Sequence, residues 1–257
     1  GVTSKQMSCK ASGALKTSVP FPGSAFREDS GQVVIGENRF GPQGLHLHLR
    51  APGLFASGTL RFGPFTPLHY DIMGSLRYVP FLECRHSVFS MRHTVAGTLQ
   101  INGVSRVFQN GTGYAEGDRG RSFPKGYVWT QCALQDGALM LAAADIPWGG
   151  LHFTGVAAAV LWQGKQYRLA TYLGAKVVDI QNGAVTIRQG RARLTARLLE
   201  PSAQPLRAPS GGAMVRTIHE HAACRAFYRF QIGEITLFAL EVPNASFEYE
   251  FSREGAV

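Results

Sequence analysis

Short runs of alternating apolar and polar residues, separated by turn residues, dominate the chain. In residues 45–50 three leucines alternate with His46, His48 and Arg50, a period of two that turns one strand face toward a core. Such runs recur about every 8 to 12 residues, and no segment carries a capped 3.6-residue apolar stripe. The pattern predicts an all-β protein and excludes a helical bundle.

Asn-Gly pairs mark the tightest turns between these runs. Asn102-Gly103 follows a predicted strand over residues 87–101, and Asn182-Gly183 separates two further apolar runs. A type I′ turn needs positive φ angles at both residues, which Asn and Gly adopt readily. Repeated hairpins close into antiparallel barrels or sandwiches, because closure removes exposed strand edges. We therefore expect antiparallel β-barrel domains.

Composition divides the 257 residues into three parts. Residues 1–16 are small, polar and aperiodic, as in a flexible tail, and a turn-rich break lies at residues 109–113. The length is enough for two small β domains. We expect an N-terminal β-barrel-like domain over residues 17–110 and a C-terminal β-barrel domain over residues 111–257.

The most apolar stretch, residues 138–162, is too interrupted to cross a bilayer as a helix. Asp145, Pro147 and His152 divide it, whereas a spanning helix needs about 20 mostly apolar residues. We expect two buried strands there. The first twenty residues hold no apolar signal-peptide core. Together with four widely spaced cysteines, this predicts reduced thiols and a cytoplasmic protein.

Basic residues outnumber acidic ones, 26 to 17, which gives a formal net charge of +9. Most arginines are scattered singly between apolar residues. Only Arg188, Arg191, Arg193 and Arg197 resemble a stripe, with the last three on one strand face, and a solvated face explains them most simply. We predict no nucleic-acid partner and leave open a weak, peripheral association with anionic membrane surfaces. The oligomeric state is not predicted.

The cysteines and histidines do not form a metal motif. Cys84-x-His86 and His219-x-His221 each offer two ligands, but a zinc site needs paired ligands at short spacing. Buried free thiols and hydrogen-bonded histidines explain these residues better. We therefore expect no metal and no cofactor.

Residues 113–132 concentrate charged and aromatic side chains next to a predicted strand. We expect the first part, which holds Glu116 and Asp118, to form a functional loop; ion pairs of these carboxylates with nearby arginines are the alternative. Alternation places three side chains on one face of the following strand: Tyr127, Trp129 and Gln131. Two aromatic rings and an amide suit an amphipathic aromatic ligand.

These segments resemble the tocopherol cyclase family. The family has a loop of the form Tyr-x-Glu-Lys-Asn/Asp-Trp-Gly, which this chain matches at Tyr114, Glu116, Asp118 and Gly120. The family's Phe-Pro pair is matched by Phe123 and Pro124, and its Trp-x-Trp-x-Gln-Cys strand by Trp129, Gln131 and Cys132. Residues 80–93 are similar to its Pro-Phe-x-Glu-Cys-x-His-x-x-x-Ser-Met segment. The resemblance covers about residues 18–251. It implies two lipocalin-like antiparallel β-barrel domains, a fold shared with carotenoid hydratases.

Three residues depart from the family pattern. Gly117 and Arg119 stand where the family has Lys and Trp, and Tyr127 replaces the first Trp of the strand. The family's opening Gly-Trp-Tyr-Phe-Lys-like strand has no counterpart, which leaves open whether the first domain lacks its opening strands. The departures bear on catalysis more than on the fold.

The resemblance implies acid-initiated ring closure of a prenylated quinol, or a similar isoprenoid, to a chromanol in an apolar barrel cavity. The acid must stay protonated near neutral pH, and burial raises the pKa of a carboxyl in this way. Glu116 is the first candidate for the acid and Asp118 the second, and Tyr114 and Gln131 would orient the phenol. The expected substrate-binding side chains are those of Tyr127, Trp129, Gln131, His86 and His93.

Two alternatives to cyclisation stay open. A lipocalin-like barrel with an altered signature segment could bind a hydrophobic small molecule without chemistry, as a carrier or sensor. Capture of the cation by water would instead give a tertiary alcohol, which is hydration.

Overall fold

The structure is a computed structural model that describes residues 21–29, 31–78, 82–148, 151–201 and 203–251. The predicted tail over residues 1–16 lies outside these ranges. Within them, regular structure consists of seventeen strands and three short 3₁₀ helices, at Gly23–Ala25, Gly74–Tyr78 and Thr171–Leu173. None of the described helices has the length and apolar content of a membrane span. The all-β prediction is confirmed.

The first seven strands form one antiparallel sheet in chain order. They are β1 (Phe26–Asp29), β2 (Gln32–Ile35), β3 (Asn38–Gly41), β4 (Gly44–Ala51), β5 (Leu54–Phe62), β6 (Cys84–Ile101) and β7 (Val104–Gly120). Asn102 and Gly103 join β6 to β7 with φ angles of 49° and 80°. This is the turn that the Asn-Gly pair predicts.

The other ten strands form a second antiparallel sheet. They are β8 (Tyr127–Leu134), β9 (Gly137–Trp148), β10 (Leu151–Trp162), β11 (Lys165–Ala170), β12 (Lys176–Gln181), β13 (Ala184–Gln189), β14 (Ala192–Glu200), β15 (Gln204–Ser210), β16 (Ala213–Ile232) and β17 (Ile235–Tyr249). Their order is β11-β10-β9-β8-β17-β16-β14-β13-β12, with β15 paired to β16. The two strands expected within residues 138–162 are β9 and β10.

A side chain connects β11, at one end of the ten-stranded order, to β13 near the other end. Gln189 of β13 donates from Nε2 to the carbonyl oxygen of Arg168 at 3.0 Å, and its Oε1 accepts from the amide of Ala170 at 2.9 Å. Both partners lie on β11. The link joins the first strand of the order, β11, to the last strand but one, β13, which makes the sheet barrel-like.

One face of the ten-stranded sheet is filled by its own side chains. Its largest fully buried members include Leu139, Leu141, Leu169, Ile187, Leu194, Tyr228, Phe230 and Phe247. Two cysteines that form no disulfide belong to this core, Cys132 at 1% and Cys224 at 2% exposure. The core draws on β8 to β14, β16 and β17, so the sheet curls around a packed interior.

The chain divides into two compact units. One contains the described residues within 13–67 and 89–115, and the other contains those within 68–88 and 116–257. A smaller core in the first unit consists of Leu45, Leu60, Val95 and Leu99. The predicted domain boundary between residues 110 and 111 stays a prediction.

Candidate active site

His86, near the start of β6, lies between two carboxylates at the end of β7. Its Nδ1 is 2.9 Å from Oδ1 of Asp118, and its Nε2 is 3.3 Å from Oε2 of Glu116. The three side chains are 13%, 28% and 21% exposed, in the order His86, Asp118, Glu116. The structure therefore brings together three of the residues that the sequence singled out.

Charge balance decides the protonation of this group. Burial lowers the pKa of His86, but the carboxylates of Asp118 and Glu116 outweigh burial and raise it to about 9. The imidazole is therefore a cation at neutral pH. Cys84 donates its thiol to Oδ1 of Asp118 at 3.6 Å, and burial, with Asp118 beside it, raises the thiol pKa. Among the described residues, no three such side chains are placed to hold a metal ion.

Backbone contacts hold the end of β7 against the start of β6. The carbonyl oxygen of Glu83 accepts from the amides of Arg121 at 2.8 Å and Ser122 at 3.3 Å. Gly120 permits this approach, because a Cβ atom there would lie 2.0 Å from the same oxygen. The loop predicted around Glu116 is therefore wrong: pairing with β6 extends strand structure to Gly120.

A further carboxyl group, Glu248, which the sequence analysis missed, lies next to this cluster. Glu248 of β17 is directly opposite Trp129 of β8 and also directly opposite Glu220 of β16. Tyr127 donates its hydroxyl to Oε2 of Glu248 at 2.5 Å. Residues directly opposite in an antiparallel pair share a face, so Glu248, Glu220 and Trp129 lie side by side. A carboxyl between aromatic residues in Phe247-Glu248-Tyr249 is the one signal that the sequence offered.

Burial raises the pKa of Glu248 to about 8. The hydrogen bond from Tyr127 acts in the opposite direction. The nearby carboxyl groups of Glu220, Glu116 and Asp118 raise the pKa further. Glu248 is therefore mostly a neutral acid at pH 7.

We expect the free energy of unfolding to fall as the pH rises from neutral to about 9. The folded pKa of Glu248, about 8, lies above its ordinary value of 4.5, and that of His86, about 9, lies above 6.5. Between each pair of values the folded protein binds more protons than the unfolded chain, so rising pH destabilises it. Urea unfolding at a series of pH values measures the fall. Glu248→Gln should flatten the profile, and a wild-type stability that rises over this range would contradict both assignments.

Arg216 forms hydrogen bonds to the backbone of the segment that leads into β8. It donates from Nη1 to the carbonyl oxygen of Pro124 at 2.6 Å and from Nη2 to that of Lys125 at 2.9 Å. Its guanidinium carbon lies 5.8 Å from the ring centroid of Tyr127, and Nη2 is 3.5 Å from a carboxylate oxygen of Glu250. These contacts fix the backbone from which Tyr127 reaches Glu248.

The two faces of β8 have different roles, as the alternation predicted. Val128 and Cys132 enter the packed core, and Thr130 on the same face bonds the Tyr228 hydroxyl at 2.6 Å. The other face carries Tyr127, Trp129 and Gln131. The amide of Gln131 donates to Oγ of Ser246 at 3.0 Å.

Small residues continue this second face beyond the aromatic pair. Across β9, Ala144 is opposite Tyr127 and Ala142 is opposite Trp129, and Ala157 of β10 follows Ala142. These methyl side chains make the part of this face next to Tyr127 and Trp129 apolar. The first face is filled by core side chains, so Tyr127 and Trp129 face away from the packed core. The ligand-binding roles expected for Tyr127, Trp129 and Gln131, and the barrel cavity expected around them, stay predictions.

Two predicted site residues belong to the other compact unit. His93 is 6% exposed, its ring centroid lies 4.8 Å from that of Phe62 and 4.7 Å from that of Phe65, and its Nδ1 is 3.1 Å from Oγ of Ser90. Burial lowers its pKa. Tyr114 lies on β7. The roles expected for His93 and Tyr114 at a substrate stay predictions.

Comparison with known proteins identifies the fold of this chain. No family model matches the chain, and no curated protein matches it significantly. Kievitone hydratase from Nectria haematococca has a similar structure, with 9% identity, a TM-score of 0.52, and coverage of 84% of this chain and 70% of that chain. A protein described as an AttH from Nitrosomonas europaea has 14% identity, a TM-score of 0.54, and coverage of 90% and 74%. The chain therefore shares the all-β, lipocalin-like fold of these proteins.

Proposed function

We propose that the protein is an acid–base enzyme that protonates an alkene of a hydrophobic phenol or isoprenoid, with tocopherol cyclase-like ring closure as its reaction. One observation carries the proposal. Glu248 is a carboxyl with a raised pKa, bonded to Tyr127 and opposite Trp129. An acid that is neutral at pH 7, beside aromatic faces, is what alkene protonation requires.

The proposed reaction balances without a cofactor. Oε2 of Glu248 accepts from Tyr127, so Oε1 carries the proton and delivers it to an alkene carbon, which leaves a tertiary cation. The phenol oxygen forms a C–O bond to that cation, and the phenol proton returns to the Glu248 carboxylate. Nothing is oxidised or reduced. The Tyr127 hydroxyl stabilises the carboxylate between the two transfers.

Two further groups favour the cationic intermediate. The rings of Tyr127 and Trp129 each supply about 0.5 to 2 kcal/mol when a cation lies over their faces. Glu116 and Asp118 together carry more negative charge than the single His86 cation neutralises, so the surrounding field also favours positive charge. Their proposed role is to keep Glu248 protonated and to stabilise the cation. The sequence-based alternative, in which Glu116 itself donates the proton, is distinguished by the variants described in the Discussion.

A carrier without chemistry is the second candidate. It is favoured by Gly117 and Arg119, which replace the Lys and Trp of the family motif. Hydration is a variant of the first candidate, in which water captures the cation in place of the phenol. The name of kievitone hydratase shows that one protein of this fold adds water.

One incubation separates these functions. We expect the protein to convert a prenylated hydroquinone to a chromanol, which chromatography resolves from the substrate. A tertiary alcohol would assign hydration, and saturable binding with neither product would assign the carrier. Heat-denatured protein controls for spontaneous closure in acid. Absence of both binding and product would contradict the proposed substrate class.

A further inference from the structure

Five exposed basic side chains share the outer face of the ten-stranded sheet. They are Lys176, Arg188, Arg193, Arg197 and Arg229, and we call this surface the cationic face. Arg191, which alternation placed beside Arg193, lies instead in the turn between β13 and β14. This turn adds a sixth charge at the edge of the face.

Like charges lie directly opposite one another on the cationic face. Lys176 of β12 is opposite Arg188 of β13, and Arg188 is opposite Arg193 of β14. Such cross-strand pairs destabilise a sheet. The row continues with the uncharged Gln231, so no carboxylate separates the three cations. This arrangement of like charges therefore does not stabilise the folded sheet.

Carboxylates also lie on this outer sheet face, in rows other than that of Lys176, Arg188 and Arg193. Asp179 of β12 is opposite Thr186, and Glu241 is 3.8 Å from Arg225, which also pairs with Glu200 at 2.9 Å. Among the ion pairs of the described residues, none involves Lys176, Arg188 or Arg193. These cations are therefore available to an external anion.

Exposed aliphatic side chains border the cationic face. Leu173 precedes β12 and is 48% exposed, and Val178 lies at the β12 bulge and is 46% exposed. Ile235, which is 65% exposed, is opposite Ile232 and lies at the edge of the sheet beside the β16–β17 turn. Ile235 follows the turn that holds Gly233, where a Cβ atom would lie 2.6 Å from Nη2 of Arg191. Arginines next to exposed aliphatic groups match the boundary between lipid headgroups and acyl chains.

We propose that the cationic face docks the protein on an anionic lipid surface. Several unpaired cations attract acidic headgroups, and the bordering aliphatic side chains enter the interface. Proteins that bind single-stranded nucleic acid stack bases on exposed aromatic rings. On this face the ring of Phe227 is not free for stacking on both sides, because it lies 5.7 Å from the guanidinium of Arg197. The chemistry of the face therefore favours lipid over nucleic acid.

The cationic face is distant from the candidate active site. Arg229 and Glu220 are nine residues apart on β16, which corresponds to about 30 Å of extended strand. Substitutions on the face should therefore leave turnover of a soluble substrate unchanged. The docking proposal does not depend on the proposed reaction.

Vesicle binding tests the proposal with the full chain. We expect co-sedimentation with vesicles of phosphatidylcholine and phosphatidylserine, little with phosphatidylcholine alone, and a steep decrease with added salt. Each basic residue near such a surface contributes about fivefold in affinity. Arg188→Gln with Arg193→Gln should therefore weaken binding by about 25-fold.

A matched double variant distinguishes binding through the cationic face from binding caused by net charge alone. Arg61 and Arg106 are exposed residues of the other unit, and Arg61→Gln with Arg106→Gln removes the same two charges. We expect this control to bind the vesicles within a few-fold of wild type. Equal losses in the two double variants would overturn the proposal, because net charge alone would then explain binding. Circular dichroism and thermal unfolding establish that both variants are folded.

A measurement of nucleic-acid binding by the same protein tests the alternative ligand. The same wild-type protein is titrated with a single-stranded oligonucleotide at equal ionic strength. Tighter binding to the oligonucleotide than to the acidic vesicles, lost in the Arg188→Gln, Arg193→Gln variant, would overturn the lipid assignment. Absence of binding to acidic vesicles at low salt would overturn it as well.

Discussion

Glu248→Gln is expected to lower kcat for alkene protonation by about 10²- to 10⁴-fold, the usual contribution of a positioned acid. Glutamine keeps the size of the side chain and an oxygen that accepts from Tyr127, but it has no acidic proton. Binding of the prenylated quinol should stay within a few-fold of wild type. Single-turnover kinetics measures the chemical step, and equilibrium titration measures the affinity.

Two further variants make this expectation specific. Glu241→Gln changes an exposed carboxyl of the same strand and should leave kcat unchanged. Glu116→Gln removes one anion beside His86, so it should reduce kcat less than Glu248→Gln does. If Glu116→Gln instead abolishes turnover while Glu248→Gln is active, Glu116 is the proton donor that the sequence predicted.

Phe230→Ala is expected to destabilise the ten-stranded sheet by about 3 to 5 kcal/mol, the usual cost of removing a buried aromatic ring. Phe230 is fully buried, and its ring centroid lies 5.1 Å from that of Tyr167 and 5.9 Å from that of Phe238. These partners lie on β11 and β17, so the cavity would open between strands that are distant in the sequence. Urea unfolding followed by tryptophan fluorescence measures the loss.

The matched control for this change is Phe89→Ala. Phe89 is 45% exposed, so removing its ring should change the free energy of unfolding by less than about 1 kcal/mol. Similar losses in the two variants would contradict the assignment of Phe230 to a tightly packed core.

Local patterns predicted much of the fold. The Asn102-Gly103 turn needs nothing beyond the φ angles of its own two residues, and both have the expected positive values. The alternation of β8 likewise separates Val128 and Cys132, which face the core, from Trp129 on the other face. Such signals lie within a few residues of one another, so a single sequence contains them in full.

The candidate site depends on contacts that no local pattern contains. Glu248 meets Tyr127 because β17 pairs with β8, which precedes it by more than a hundred residues. Alternation states which face a side chain occupies but not which strand lies next to it. The ion pairs of Glu116 and Asp118 with His86 have the same origin, since β7 pairs with β6. Sequence reasoning therefore selected residues of the candidate site and missed Glu248, the carboxyl whose pKa is raised.

The buried thiols of Cys132 and Cys224 provide built-in probes of local opening. At 1% and 2% exposure, neither sulfur can meet an alkylating reagent until the strands around it separate. Their labelling rates under native conditions therefore report the free energy of that separation. Mass spectrometry of the labelled chain would show whether β8 and β16 open together, without any introduced reporter group.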